Sequence, residues 1–275
     1  MSSIGNNVSL LPNLLAHSAV GCSVAYLYDG TLEGLLSAVF LAYERHESPD
    51  DIVSAEYYQP RLGQIEIPVV TDYGRARRVQ RGVVNAAGRN AFQAILRAST
   101  SECPTMGTTV LSFIRHVMSR PSNDRGNAVL DDLANPCVSH LVALSQRAVN
   151  ECEKMRQFIR FTHLQNGVWY ARCNPNANVI PLVMGYFSAR LNDQAFIIYD
   201  ERHHIAGIYN GNSWQLVKGD AVNVPASTDD EALYQEAWKR FYDTLSVDAR
   251  YNPELRRHFM PVRLWQNLPE MQPRT

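Results

Sequence analysis

The order of apolar and polar positions changes character several times along the chain, and each change marks an element. Ser23–Tyr28 (SVAYLY) is apolar and rich in strand formers, and predicts a strand closed by Asp29-Gly30. Leu32, Leu35, Leu36, Val39, Phe40 and Tyr43 then recur at helical spacing behind a cap at Asp29 or Thr31. Ser48-Pro49-Asp50-Asp51 ends that helix, and Ile65–Val70 reads as a short extended segment. Thr71–Arg120 is helical in two or three pieces, broken near Ala87-Gly88 and Cys103-Pro104. Val110, Ile114, Val117 and Met118 mark the core face of the last piece. Pro121–Gly126 is a polar turn. Pro136 suits the first turn of a further helix, which buries Leu141, Leu144, Ala148, Cys152 and Met155.

The pattern shifts again where that helix ends, and the chain is organised around this point. Phe158, Ile159 and Phe161 are interleaved with Arg160 and Thr162, so the period moves from helical toward two. Asn166-Gly167 is a dipeptide that supplies two positive-φ residues to a tight hairpin turn. Beyond it, Val168, Tyr170 and Arg172 alternate with Trp169, Ala171 and Cys173. The expectation is a β-hairpin with Trp169 in the core and Arg160, Tyr170 and Arg172 on the opposite face.

Asn178–Leu191 predicts a helix over this hairpin. Ala195–Asp200 and His204–Tyr209 form a strand pair, Asn210-Gly211 turns the chain, and Ser213–Val217 adds another strand. Thr228-Asp-Asp-Glu231 has the form of a capping box opening a helix through Leu233, Ala237, Phe241 and Leu245. Tyr251–Leu268 alternates basic and aromatic residues around Pro253 and Pro261. The architecture expected is α+β: a mainly antiparallel sheet of about five strands covered by eight or so helices. Residues 23–270 form a single domain, with a helical insertion at about 72–135 beside the sheet, and residues 1–22 are a loose leader.

Composition narrows the class. A chain of 275 residues, 45% hydrophobic and 19% charged, is an ordinary soluble globule with enough length to bury a large core. No apolar run reaches the roughly 18 residues of a membrane span. The leader has no Lys or Arg and is interrupted by His17, which argues against a signal peptide. Five scattered cysteines without CxxC spacing read as reduced thiols in a cytoplasmic protein, and disfavour disulfide or metal frameworks. GxxxxGK[ST], GxGxxG, GxSxG, HExxH and CxxxCxxC are all absent, so no cofactor is expected and the common cofactor-dependent enzymes are disfavoured.

A net charge of −1 speaks against a nucleic-acid binder, but its distribution changes the picture. Asp29–Glu56 carries seven acidic residues and one basic, whereas Asp72–Arg120 carries eight arginines against Asp72 and Glu102. Arg77, Arg78 and Arg81 lie close together on a helix and can neutralise phosphates. The alternative is a solvated face paired with the acidic 29–56 segment. Arg160, Tyr170 and Arg172 are residue types that stack bases and hold phosphates. In the tail, Arg256, Arg257, His258, Arg263 and Trp265 form a second basic and aromatic patch, or else Phe259, Leu264 and Trp265 dock the segment with its arginines in solvent. His203-His204 is a loop pair, since a metal would require further ligands that spacing does not supply. Asp193 and Asp200 are general-base candidates or turn caps.

Several strings together resemble a known family. YDGTLEGLLSAVFLAYE (Tyr28–Glu44), DDIVS (Asp50–Ser54), ARRVQRG (Ala76–Gly82), MRQFIRF (Met155–Phe161), GVWYAR (Gly167–Arg172) and YNPELRRHFMPVRLW (Tyr251–Trp265) occur in order from about residue 24 to 268. They are similar to a bacterial family of unknown function described as DNA metabolism or repair proteins. Gln157 stands where that family usually has glycine. The resemblance implies partnership with a radical-SAM protein and with a uracil-DNA-glycosylase-like domain, which is fused in some members and is not expected to follow here. It implies no catalytic residue. The function expected is a nucleic-acid-binding accessory factor in DNA repair or modification, with DNA as a partner and no base-excision or nuclease turnover of its own. The alternatives are an enzyme acting on a nucleotide or damaged base, and a protein–protein adaptor without DNA contact.

Overall fold

β1 (Val24–Tyr28) is the central strand of a three-stranded, all-parallel sheet in the order β2-β1-β3, with β2 at Asp51–Ser54 and β3 at Ile65–Pro68. Parallel neighbours need a crossover, and α1 (Leu32–Glu44) supplies it between β1 and β2. Thr31 starts α1: its Oγ1 accepts the Gly34 N–H at 2.9 Å, satisfying one of the orphan donors of the first turn. The buried stripe of α1 includes Leu35, Leu36, Val39 and Ala42, in register with the spacing read from the sequence. β2 falls where the sequence pattern showed only the end of a helix. Its four residues are too few for a periodic signal, and pairing from Ala25↔Asp51 to Tyr28↔Ser54 makes it a strand.

The computed structural model describes residues 23–120, 127–219, 224–245, 247 and 252–273; the leader at 1–22 and the turn Pro121–Gly126 lie outside them. α2 (Tyr73–Ala98) opens at Asp72, whose carboxylate caps Gly74 and Arg75. It breaks at Gly88, which takes φ 81° as the Ala87-Gly88 signal anticipated. α3 is Met106–Ser119 and α4 is Pro136–Phe158, with Pro136 in the first turn and Asn135 as cap. The helices of the expected insertion pack with α1, β1 and the first half of α4 into one apolar core. The second half of α4 (Cys152, Met155) enters a different core, built with β5, β6 and α5. α4 is therefore the element that joins the two sheets.

The second sheet has five strands in the order β4-β5-β6-β7-β8: Thr162–His163, Trp169–Cys173, Phe196–Asp200, Ile205–Tyr209 and Trp214–Lys218. Only β5 and β6 run parallel, because α5 (Ile180–Leu191) crosses between them. The others are antiparallel neighbours, and the α+β class with a mainly antiparallel five-stranded sheet stands. α6 (Glu231–Leu245) and α7 (Pro253–Phe259) follow.

Three local expectations are corrected. Phe158 is the last residue of α4, so the hairpin begins only at Thr162 and its first strand has two residues. Its turn is a three-residue loop: Leu164 N–H donates to Val168 O, Gly167 N–H donates to Leu164 O, and Gly167 alone takes positive φ. The capping box does not form. Glu231 is buried, and its carboxylate accepts the His163 N–H at 3.0 Å and the Gln235 amide at 2.9 Å instead of returning to Thr228. The helix itself forms as expected, and Leu233, Phe241 and Leu245 of α6 are exposed.

Among the described residues no helix is long and apolar enough to cross a membrane, and Cys103, Cys137, Cys152 and Cys173 are free thiols.

Candidate functional site

Arg160, Tyr170 and Arg172, three of the positions singled out from the sequence, line one cleft of about 600 Å³. Its walls are β4, β5, the first turns of α6 and the segment around Leu268-Pro269. Strand alternation puts Trp169, Ala171 and Cys173 toward the core under α5, and Tyr170 and Arg172 on the other face. That division is as expected, but the exposures are not. Tyr170 is buried at 8% exposure among Leu164, Tyr199 and Ala206, and burial pushes its phenol up. Trp169 is only half-buried, with the His163 ring stacked on it at 4.6 Å. Trp169 is paired with His163 of β4 on one side and Phe196 of β6 on the other, whereas Tyr170 is enclosed by Leu164, Tyr199 and Ala206 on the opposite face.

The two arginines of the cleft differ in freedom. The Arg160 guanidinium bonds Glu270 Oε1 at 2.8 Å and sits 5.4 Å over the Trp238 ring. Glu270 Oε2 also accepts the Trp238 indole N–H at 2.9 Å. Arg160, Glu270 and Trp238 thus clamp α6 to the C-terminal segment, and the charge of Arg160 is matched by a buried carboxylate. Arg172 is more than half exposed and meets Glu201 only at 3.4 Å. An exposed pair of that length is worth little, so this guanidinium can be given up to a phosphate.

The remaining candidates lie elsewhere. Arg263 is not a surface group: it donates to Glu151 Oε1 at 2.6 Å and to Asn174 O at 2.9 Å, fixing the tail onto α4. Arg257 is exposed on α7. Arg77, Arg78 and Arg81 are exposed on α2 and do not line this cleft. Their neighbour Arg75 pairs with Glu44 of the acidic segment at 3.3 Å, and Arg78 stands 4.9 Å over Phe40. Arg77 and Arg81 make no ion pair among the described residues, so the alternative of charge pairing holds for Arg75 only.

A second cleft, of about 650 Å³, opens between the two sheets at the carboxyl end of β1. Asp29 lies there, its Oδ1 accepting the Thr31 N–H and hydroxyl and its Oδ2 the Thr71 hydroxyl. Burial pushes this carboxyl up, but those hydrogen bonds outweigh it and hold the group below the usual carboxylate range. Across the cleft, His203 Nδ1 is 2.6 Å from the fully buried Asp200, and His203 Nε2 is 2.9 Å from Glu102 Oε1 without hydrogen-bond alignment. Asp200 also accepts the Arg202 and His203 N–H groups, so it is both the turn cap and the partner of an imidazole. The local Asp-x-x-His spacing could have revealed that pair. Glu102, in the loop before α3, carries no sequence signal linking it to His203. Asp193 lines neither cleft, and no group of three or more metal-ligating side chains occurs among the described residues.

No curated protein matches this chain. The family described as a domain of unknown function, DUF4130, matches residues 104–270, which span α3 to α7, the five-stranded sheet and nearly all of the first cleft's lining. That is more than half of the chain, and the protein belongs to the DUF4130 family.

Proposed function

We propose that this protein binds nucleic acid at the first cleft, as a cytoplasmic accessory factor in DNA repair or modification. The observation that supports this is the combination lining that cleft: the Trp238 indole, the Tyr234 ring, and the loosely paired guanidinium of Arg172. Aromatic faces stack bases whatever their identity, and a guanidinium beside them takes the backbone phosphate, which together favour a single strand over a duplex. Tyr170 backs the sheet and Arg160 holds the wall, so both act by positioning. The family resemblance adds a radical-SAM or uracil-DNA-glycosylase-like protein as the partner that supplies chemistry.

The test is fluorescence anisotropy with a labelled oligothymidylate over a series of salt concentrations. The log of the affinity should fall linearly with log salt, and Arg172→Gln should reduce that slope by roughly 0.7, the share of the single phosphate that Arg172 neutralises. Trp238→Ala should weaken binding by about 1–3 kcal/mol through removal of a stacking platform. Oligonucleotide binding with the same slope and affinity in both variants would refute the assignment to this cleft.

A further inference from the structure

We propose that β8 pairs with the β8 of a second copy of this chain, joining the two five-stranded sheets edge to edge around a two-fold axis. A sheet edge carries a row of unmade backbone hydrogen bonds, and natural folds blunt it with proline, charge, shortness or a covering segment. Two other edges of this protein follow that rule. β4 has two residues, and the 226–228 segment lies along it: Gln165 N–H donates to Ala226 O, and Thr228 N–H donates to His163 O. β3 carries Glu66 and ends in Pro68. β8 has five residues, all exposed, and among the described residues no strand pairs with its outer edge. It presents Trp214, Leu216 and Val217 to solvent, and its one charge, Lys218, stands at the end of the strand, 3.3 Å from Glu56.

The alternation of hydrogen bonds along β8 selects the partner. Asn210 N–H donates to Ser213 O and Gly219 N–H donates to His204 O, at the two ends of the β7–β8 ladder. With the register Ile208↔Gln215 and Ala206↔Val217, the backbone groups of Gln215 and Val217 face β7, and those of Trp214, Leu216 and Lys218 face outward. That outward set is symmetric about Leu216. A second β8 running antiparallel, with Leu216 against its counterpart, brings Trp214 opposite Lys218, and every such pair is of the kind that exchanges both N–H···O bonds. The side chains agree. The two Leu216 side chains meet on the axis, each Lys218 ammonium meets a Trp214 indole, and Gln215 faces Val217 on the other side of the sheet. The strand is complementary to itself, as an isologous two-fold interface requires. β8 is at the opposite edge of the sheet from β4, so this pairing leaves the first cleft open.

A seam of one short strand from each copy is at the small end of specific interfaces, so the dimer should be weak, with a Kd in the micromolar range. Sedimentation equilibrium of the full chain from about 5 to about 500 μM brackets an affinity of that order. Leu216→Lys sets two like charges face to face on the axis and should raise the Kd at least about tenfold. A circular dichroism melt establishes that this variant is folded. Amide hydrogen exchange on the wild-type chain gives a readout that needs no variant. As concentration rises, the N–H groups of Trp214, Leu216 and Lys218 should gain protection, while those of Gln215 and Val217, already bonded to β7, should not change. The proposal is overturned if the chain is monomeric over the whole range, or if it dimerises without that alternating protection. It is equally overturned if folded Leu216→Lys dimerises as the wild type does, since association then uses another surface, such as the exposed apolar side chains of α6.

Discussion

Arg263 reaches Glu151 across 112 residues of sequence, its Nη2 2.6 Å from a carboxylate oxygen that also accepts the Asn176 N–H at 2.8 Å. Glu151 is buried at 4% exposure in the stretch of α4 that leads from one core into the other. The pair therefore fastens the C-terminal segment, through the buried Leu264, to the helix that joins the two sheets. Glu151→Ala leaves a half-buried guanidinium and a backbone donor without their acceptor, and should cost about 3 kcal/mol in denaturant unfolding. Arg263→Ala should cost less, and the double variant should be less unstable than the sum of the two.

Tyr170 and Trp169 make a second comparison. Tyr170→Ala empties an enclosed site and should cost about 3–5 kcal/mol. Trp169→Ala, at a partly exposed position beside the His163 ring, should cost visibly less. Equal melting shifts for the two would contradict the burial described here.

Gly107 tests the seat of α3 on the parallel sheet. A Cβ there would run into the Ile52 carbonyl oxygen and side chain of β2, which are backbone and core atoms with no room to yield. Gly107→Ala should destabilise by about 3 kcal/mol, the upper end of overpacking. Gly185→Ala, where a Cβ meets nothing within 4 Å and the helix gains propensity, should stabilise or be neutral.

Asp29 gives a pH signature. Its folded carboxyl lies below the ordinary 3.8, so its hydrogen bonds to Thr31 and Thr71 stabilise the fold above that value. The contribution is lost as pH falls through the lower, folded-state pKa. The gap in melting temperature between wild type and Asp29→Asn should be constant near neutral pH and close on acidification below about pH 4.

Among the α2 arginines, Arg77→Gln and Arg81→Gln should change stability by no more than about 0.5 kcal/mol, as solvated surface positions do. Arg78→Ala should cost about 0.5–1 kcal/mol, because its guanidinium no longer covers Phe40. A thermal melt of each variant separates the two cases.

The sequence by itself determined the elements whose signals are local. Helical spacing defined α1 and α4, Gly88 marked the kink of α2, and strand alternation separated Tyr170 and Arg172 from Trp169 and Cys173. These follow from the residue's own backbone preferences and from which side of its element it faces, both set within a few positions. What only the tertiary structure decided depends on partners far along the chain. β2 is a strand because β1 lies beside it, and Tyr170 is buried because Tyr199 and Ala206 cover it. Glu231 leaves its expected cap because His163 offers a donor. The meeting of Glu102 with His203, like that of Glu151 with Arg263, exists only once α4 has brought the two sheets together. Periodicity reports that a side chain faces inward or outward; it carries no information about what waits on the other side.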